Sequence, residues 1–212
     1  INTSIDGNIL NYDGNGWKPI GENADRFPGK LDGNFFNITN LFVNRSSTDY
    51  QGLFGVLTSG AEILNLGLVN ASINGSIRTG ALAGANWGGY INNSFSMGDV
   101  YGHYFVGGLV GDSTGTINHS YSTAYVQGKL TQSTTYTGGL VGTQGSAGDI
   151  GDSYATGYIY ATSRIGGLVG SNSGLIQKSY ATGNVSSTSS TAGLVGFQSG
   201  SSAKIYRSYA LG

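Results

Sequence analysis

The 212-residue chain has no cysteine and only two histidines, His103 and His119, so any acid–base or metal chemistry must be built around very little. Neither histidine has a Glu or a second His at metal-site spacing, which removes the usual basis of a catalytic zinc centre. His119 stands beside Ser120, a pairing that could suit a hydroxyl nucleophile and its base. Neighbours on a strand point apart, however, and the His119 slot is filled elsewhere by Asn93, Asp152, Lys178 or Arg207, the pattern of a solvent-facing position. The carboxylate pairs Asp149/Asp152 and Asp99/Asp112 could serve glycoside hydrolysis, but neither pair recurs along the chain or has flanking aromatics. Asn11-x-Asp13-x-Asn15-Gly16 with Glu22 follows the oxygen spacing of a calcium loop, yet the same residues suit a plain Asp-Gly/Asn-Gly turn, which is the expectation taken here. Glycine-rich stretches such as Gly107–Gly111 lack the Gly-Lys-Ser/Thr ending of a phosphate loop. The expectation is a protein that is not an enzyme and that carries no metal or cofactor.

The element behind these residues is a repeat. A Gly-Leu-Val-Gly-like tetrapeptide occurs six times, centred on Leu53, Leu82, Leu109, Leu140, Leu168 and Leu194, at separations of 29, 27, 31, 28 and 26 residues. A companion phrase follows each: Ile91-x-x-Ser94-Phe95, Ile117-x-x-Ser120-Tyr121, Ile150-x-x-Ser153-Tyr154, Ile176-x-x-Ser179-Tyr180 and Ile205-x-x-Ser208-Tyr209, with Leu64-x-x-Gly67-Leu68 as a more worn copy. Five residues beyond the aromatic comes a β-branched residue: Val100, Val126, Ile159 or Val185, and Ile73 after Leu68. The one long interval, Val126 to Leu140, places a bulging loop at Lys129–Thr135. Self-similarity at this period marks a solenoid, in which one coil buries its apolar face only by stacking on the next.

Glycine inside every apolar phrase disfavours helix, and the short β-branched and aromatic runs bounded by Gly, Ser, Asn and Thr are strand-and-turn sequence. The fold expected is all-β, a β-solenoid of about six to seven coils with 26–31 residues per coil and three strands in each. Stacking aligns equivalent residues into columns. An aromatic column is expected through Leu68, Phe95, Tyr121, Tyr154, Tyr180 and Tyr209, either as an exposed ribbon for sugars or as a packing ladder. A second column through Val110, Val141, Val169 and Val195 either forms an outward apolar stripe or is buried at a corner.

The phrases Gly-Gly-Leu-Val-Gly and Ser-Tyr-Ala-Thr-Gly-x-Val resemble the GLUG repeat of large bacterial and archaeal surface proteins, among them filamentous-haemagglutinin-like adhesins and immunoglobulin-A-cleaving metallopeptidases. Trp17–Gly21, Phe27–Asn34 and Ile38–Leu41 are similar to the coil that commonly precedes these repeats, so the likeness covers residues 17–212. It implies a right-handed β-helix on the cell surface. It does not imply peptidase activity, because the His-Glu-x-x-His helix of those enzymes is absent.

With 10 basic against 11 acidic residues there is no basic stripe for nucleic acid, and no apolar run approaches the roughly 20 residues of a membrane span. No leader-like segment is written at Ile1, which leaves a mature form, a fragment or a cytoplasmic protein as readings. Asn-x-Ser/Thr triplets at Asn2, Asn37, Asn44, Asn70, Asn74, Asn92, Asn118 and Asn184 mark N-glycosylation positions on a secreted surface. Residues 1–50 are expected to form a leading region and first coil, and 51–212 the repeats. The function expected is a non-catalytic, extracellular structural or adhesive solenoid. Its partners would be other copies of itself, a longer parent chain, or host and cell-surface glycans. Because no polar cap follows Tyr209–Gly212, a head-to-tail filament is a second reading, and a carbohydrate-binding module built on Tyr121, Tyr154, Tyr180 and Tyr209 a third.

Overall fold

The computed structural model describes residues 14–130, 135–187, 189 and 191–211. Among them there is no helix; parallel strands stack into a β-solenoid whose longest column, on the Ile face, holds seven strands. That column runs Lys30–Asp32, Glu62–Leu64, Tyr90–Asn92, Thr116–Asn118, Asp149–Gly151, Leu175–Gln177 and Lys204–Tyr206. The GLUG-like tetrapeptides form a six-stranded sheet, paired Val110 to Val141 to Val169 to Val195. Their leucines overlie one another directly: the Leu109 amide donates to Leu140 O at 3.0 Å, and the Leu140 amide to Leu168 O at 2.9 Å.

The three coils between residues 105 and 187 have five strands rather than three. The coil from 105 to 128 contains Phe105–Gly107, Val110–Ser113, Thr116–Asn118, Tyr121–Ser122 and Tyr125–Gly128. The Ile-x-x-Ser-aromatic phrase breaks in its middle because the residue before Ser adopts positive φ in every copy: Asn65, Asn93, His119, Asp152, Lys178 and Arg207, with φ between 45° and 53°. That corner carries the chain from one sheet to the next, and its side chain points to solvent. A left-handed residue that is not glycine costs free energy, and Asn and Asp tolerate it best.

Leu and Val of the tetrapeptide are both interior. Leu109, Leu140, Val110, Val141 and Val169 are fully buried, because the chain turns between the two positions and both side chains face the core. The outward apolar stripe is therefore not formed in these coils. Glycine is needed here for close backbone approach. A Cβ on Gly111 would lie 2.6 Å from Gly84 O and 2.6 Å from Thr79 N, both one coil earlier.

One part of the expected register is corrected. Phe95 pairs with Gly67 and Ser96 with Leu68, so Leu68 is a fully buried core residue and Gly67 occupies the aromatic column. The aligned phrase of that coil is Ile63-Leu64-Asn65-Leu66-Gly67, since Ile63 pairs with Ile91. Ile73 still meets Val100, because a bulge at Val69–Asn70 (Asn70 φ 55°), opposite the single Met97 between Ser96 and Gly98, absorbs the extra residue. A one-residue slip followed by a one-residue bulge conceals itself in a spacing count.

Candidate interaction surface

Outer-face residues of this solenoid form ladders. Phe95, Tyr121, Tyr154, Tyr180 and Tyr209 stack with centroids 4.8, 4.7, 4.9 and 5.4 Å apart and planes within 9° of parallel. Each ring within the stack has both faces covered by its neighbours and shows its edge to water. The column is thus the packing ladder, and only its ends offer a ring face. Tyr209 is 52% exposed, and at the other end Gly67 supplies no side chain under Phe95. Burial, then the neighbouring Tyr121 and Tyr180, pushes the Tyr154 phenol above its ordinary pKa.

A second tyrosine row lies four residues along, where Tyr125 and Tyr158 stack at 5.7 Å and Tyr101 leans on Tyr125 at 5.9 Å. The Tyr125 hydroxyl donates to Gln127 Oε1 at 2.8 Å. Burial, followed by Tyr101, Tyr158 and Asp99, raises the Tyr125 pKa; burial and Asp99 raise that of Tyr101. This row had no counterpart in the sequence reading, although the residue preceding the β-branched position (Tyr125, Tyr158) carried the signal.

Ser120 cannot act as a nucleophile. It is fully buried, its hydroxyl donates to Asn118 O at 2.7 Å, and it accepts the Ser94 amide at 3.2 Å. The same bond pair repeats: the Ser120 amide donates to Ser153 Oγ, the Ser153 amide to Ser179 Oγ and the Ser179 amide to Ser208 Oγ, at 3.1–3.2 Å. Serine is written in the phrase because a hydroxyl can both donate and accept: it takes the amide that the left-handed corner removes from the sheet ladder, and it adds a second donor to a carbonyl, such as Asn118 O, that already accepts a corner amide of the preceding coil.

Three of the four carboxylates considered for hydrolysis are likewise engaged elsewhere. Asp112 accepts from Arg78 Nε at 2.9 Å and from Trp87 Nε1 at 3.2 Å, and the Arg78 guanidinium also lies over the Tyr50 and Phe105 rings. Asp149 accepts from Gln177 Nε2, and Asp152 faces Lys178 at 3.8 Å. His103 is partly buried, which lowers its pKa, with Lys129 acting in the same direction and Asp49 against it. Asn11 and Asp13 of the calcium-like spacing lie outside the described residues; Asn15 O accepts the Asn44 amide, and Glu22 pairs with Lys18 at 2.7 Å. Among the described residues no group of three or more His, Asp or Glu is placed to hold a metal ion.

Of the glycosylation triplets, Asn2 lies outside the described residues, whereas Asn37, Asn44, Asn70 and Asn184 are exposed. Asn74, Asn92 and Asn118 are half-buried, and Asn92 Oδ1 is buried without a hydrogen-bond partner. Asn70 and Asn74 donate their amides to Asn40 and Asn44 one coil earlier, at 2.7 and 3.0 Å.

One full circuit of five strands, from Ala161 through Leu168, Ile176 and Tyr180 to Ser186, reproduces the tetrapeptide, the corner and the serine–tyrosine phrase together. Residues 161–186 match the GLUG motif. The GLUG motif is thus one rung of the solenoid. The chain is 41% identical over 92 residues, 42% of its length, to a protein of Evansella cellulosilytica named as a Gly-rich membrane protein, and 40% identical over 102 residues, 47% of its length, to halomucin of Haloquadratum walsbyi. The matched stretches span 11% and 1% of those relatives' own lengths. Neither name is that of an enzyme.

Proposed function

We propose that the chain is a non-catalytic stretch of GLUG solenoid in an extracellular surface protein, a stiff spacer that carries adhesive contacts on its outer face. The observation that carries this reading is the serine ladder. The side chains placed to do chemistry, Ser94, Ser120, Ser153 and Ser179, are buried and hydrogen-bonded from rung to rung, so their polarity holds coils together. The membrane-protein name of one relative agrees with a place at the cell boundary. Antibody raised against the purified chain is expected to label intact, unpermeabilised cells of the source organism. Labelling that appears only after permeabilisation would overturn the surface role.

The filament reading is the weaker one, because among the described residues one strand edge of the leading rung is already closed. The last rung exposes Ile205 at 40%, whereas its counterparts Ile63, Ile91, Ile117, Ile150 and Ile176 are fully covered. At the leading end, Gly16 bridges Val43 in the antiparallel sense, with the Trp17 amide on Phe42 O and the Asn44 amide on Asn15 O. That closes the edge of Phe42–Asn44 to an incoming parallel rung. Sedimentation of the purified chain is expected to show monomer; ordered head-to-tail polymers would restore the filament.

A further inference from the structure

Phe35 stands in an unusual position for an aromatic side chain. Its φ is +62°, a left-handed conformation that a bulky residue rarely adopts, and its ring is 72% exposed, as is that of Phe36. Neither the backbone strain nor the exposed ring is repaid by core packing. The turn is nonetheless held firmly: the Asn34 amide donates to Asp32 Oδ1, the Phe35 amide to Asn65 O and the Phe36 amide to Gly33 O, at 2.8–2.9 Å. Strain retained in a rigid, exposed turn is the kind of outlier that points to function.

Beside this ring the aromatic column stops. Gly67 lies below Phe95, where even a Cβ would come within 2.5 Å of Phe95 Cζ. The Phe95 ring thus rests on Gly67, with the Asn37 side chain close by, and beside this contact lies a recess of about 200 Å3 lined by Phe35, Phe95, Tyr121, Leu66, Gly67, Asn65 and Asn93. Asn93 Nδ2 donates to Asn65 Oδ1 and Asn65 Nδ2 to Asp32 Oδ1, both at 2.9 Å, which fixes the amide planes. Asn65 and Asn34 hold the Asp32 carboxyl below its ordinary pKa, so it accepts from the amides rather than donating to them. No Lys, Arg, Asp or Glu lines the recess itself.

We propose that this recess is a binding site for a single pyranose ring of a neutral glycan. The exposed Phe35 ring suits the C–H face of a sugar, with the edges of Phe95 and Tyr121 completing an apolar lining, and the amides, each both donor and acceptor, suit its hydroxyls. The absence of charge in the lining excludes the ion pairing that an acidic glycan or a phosphate would need. The site rests on the adhesive part of the surface reading and moves it from the tyrosine column, whose inner rings have no free face, to the interruption in that column.

Binding of the full chain to immobilised cellohexaose, mannohexaose and laminarihexaose, with sialylated and sulfated glycans alongside, tests it. Saturable binding to at least one neutral hexaose is expected. Phe35→Gly is expected to weaken that binding about tenfold or more by removing the ring, while raising Tm by about 2 °C because glycine relieves the positive φ. Phe36→Ala serves as the exposed-aromatic control and leaves binding within about twofold. Binding to none of the neutral probes, preference for the acidic ones, or full binding by the Phe35→Gly variant would each overturn the site. Surface labelling of intact cells is independent of all three outcomes, so the site can fail while the surface reading stands.

Discussion

Tyr121 and Tyr154 lie flat against one another, with ring centroids 4.7 Å apart and planes 2° from parallel, although 33 residues separate them in sequence. Their contact exists only because the coils stack in register, so it reports directly on the integrity of the solenoid. Tyr154→Ala removes two stacked pairs, with Tyr121 and Tyr180, and is expected to destabilise by about 2–3 kcal/mol. Calorimetry should show the loss, and neutral-glycan binding should be unchanged because both faces of this ring are already covered. Lost binding at unchanged Tm would make the column a ligand ribbon instead.

The serine ladder gives a second expectation. Ser120→Ala leaves the Ser94 amide without its partner in a fully buried place, while Asn118 O keeps the Asn93 amide, costing about 1–3 kcal/mol. Denaturant titration should show a lower midpoint at unchanged slope. An unchanged midpoint would mean that the hydroxyl contributes nothing at this corner.

Gly111→Ala tests the close approach of neighbouring coils. The new methyl would stand 2.6 Å from Gly84 O and Thr79 N, both backbone atoms that cannot rotate away. The expected loss is about 3 kcal/mol, at the upper end of overpacking, read as reduced soluble yield and a lower Tm. A variant that folds with wild-type stability would contradict the tight corner.

Alkaline pH should loosen the tyrosine rows. Tyr154, Tyr125 and Tyr101 all have pKa values raised in the folded chain, mainly by burial. A raised folded value means that the folded state holds the proton more tightly than the unfolded chain does. The resulting stability is complete below the ordinary phenol value of about 10 and is lost as pH rises through the raised ones. Tm should therefore fall as pH rises above about 10, together with the rise in tyrosinate absorbance at 295 nm. A flat Tm across that range would dismiss the coupling.

Much of this was legible in the residues, and the failures were local. The leucine spacing placed Leu109, Leu140 and Leu168 over one another, as their hydrogen bonds show. The five-residue interval from aromatic to β-branched position also held, from Phe95 to Val100 and onward. It misled only at Leu68, where the bulge at Val69–Asn70 compensated a slip of one residue. The role of serine was hidden because its partner is the same serine one coil away, at 26–33 residues' distance. The recess at Phe35 was equally hidden, since it joins residues from four successive coils.

The sequence by itself determined that the chain winds as stacked, equivalent rungs. The period, the recurrent glycines and the apolar columns leave a single coil no other way to bury its apolar face. The tertiary structure alone decided which outer side chains remain available. A residue's neighbours on a rung face belong to the coils above and below, and their register depends on left-handed corners and one bulge that no spacing count records. It is that register that covers the faces of Tyr121 and Tyr154 and leaves Phe35 beside an open recess.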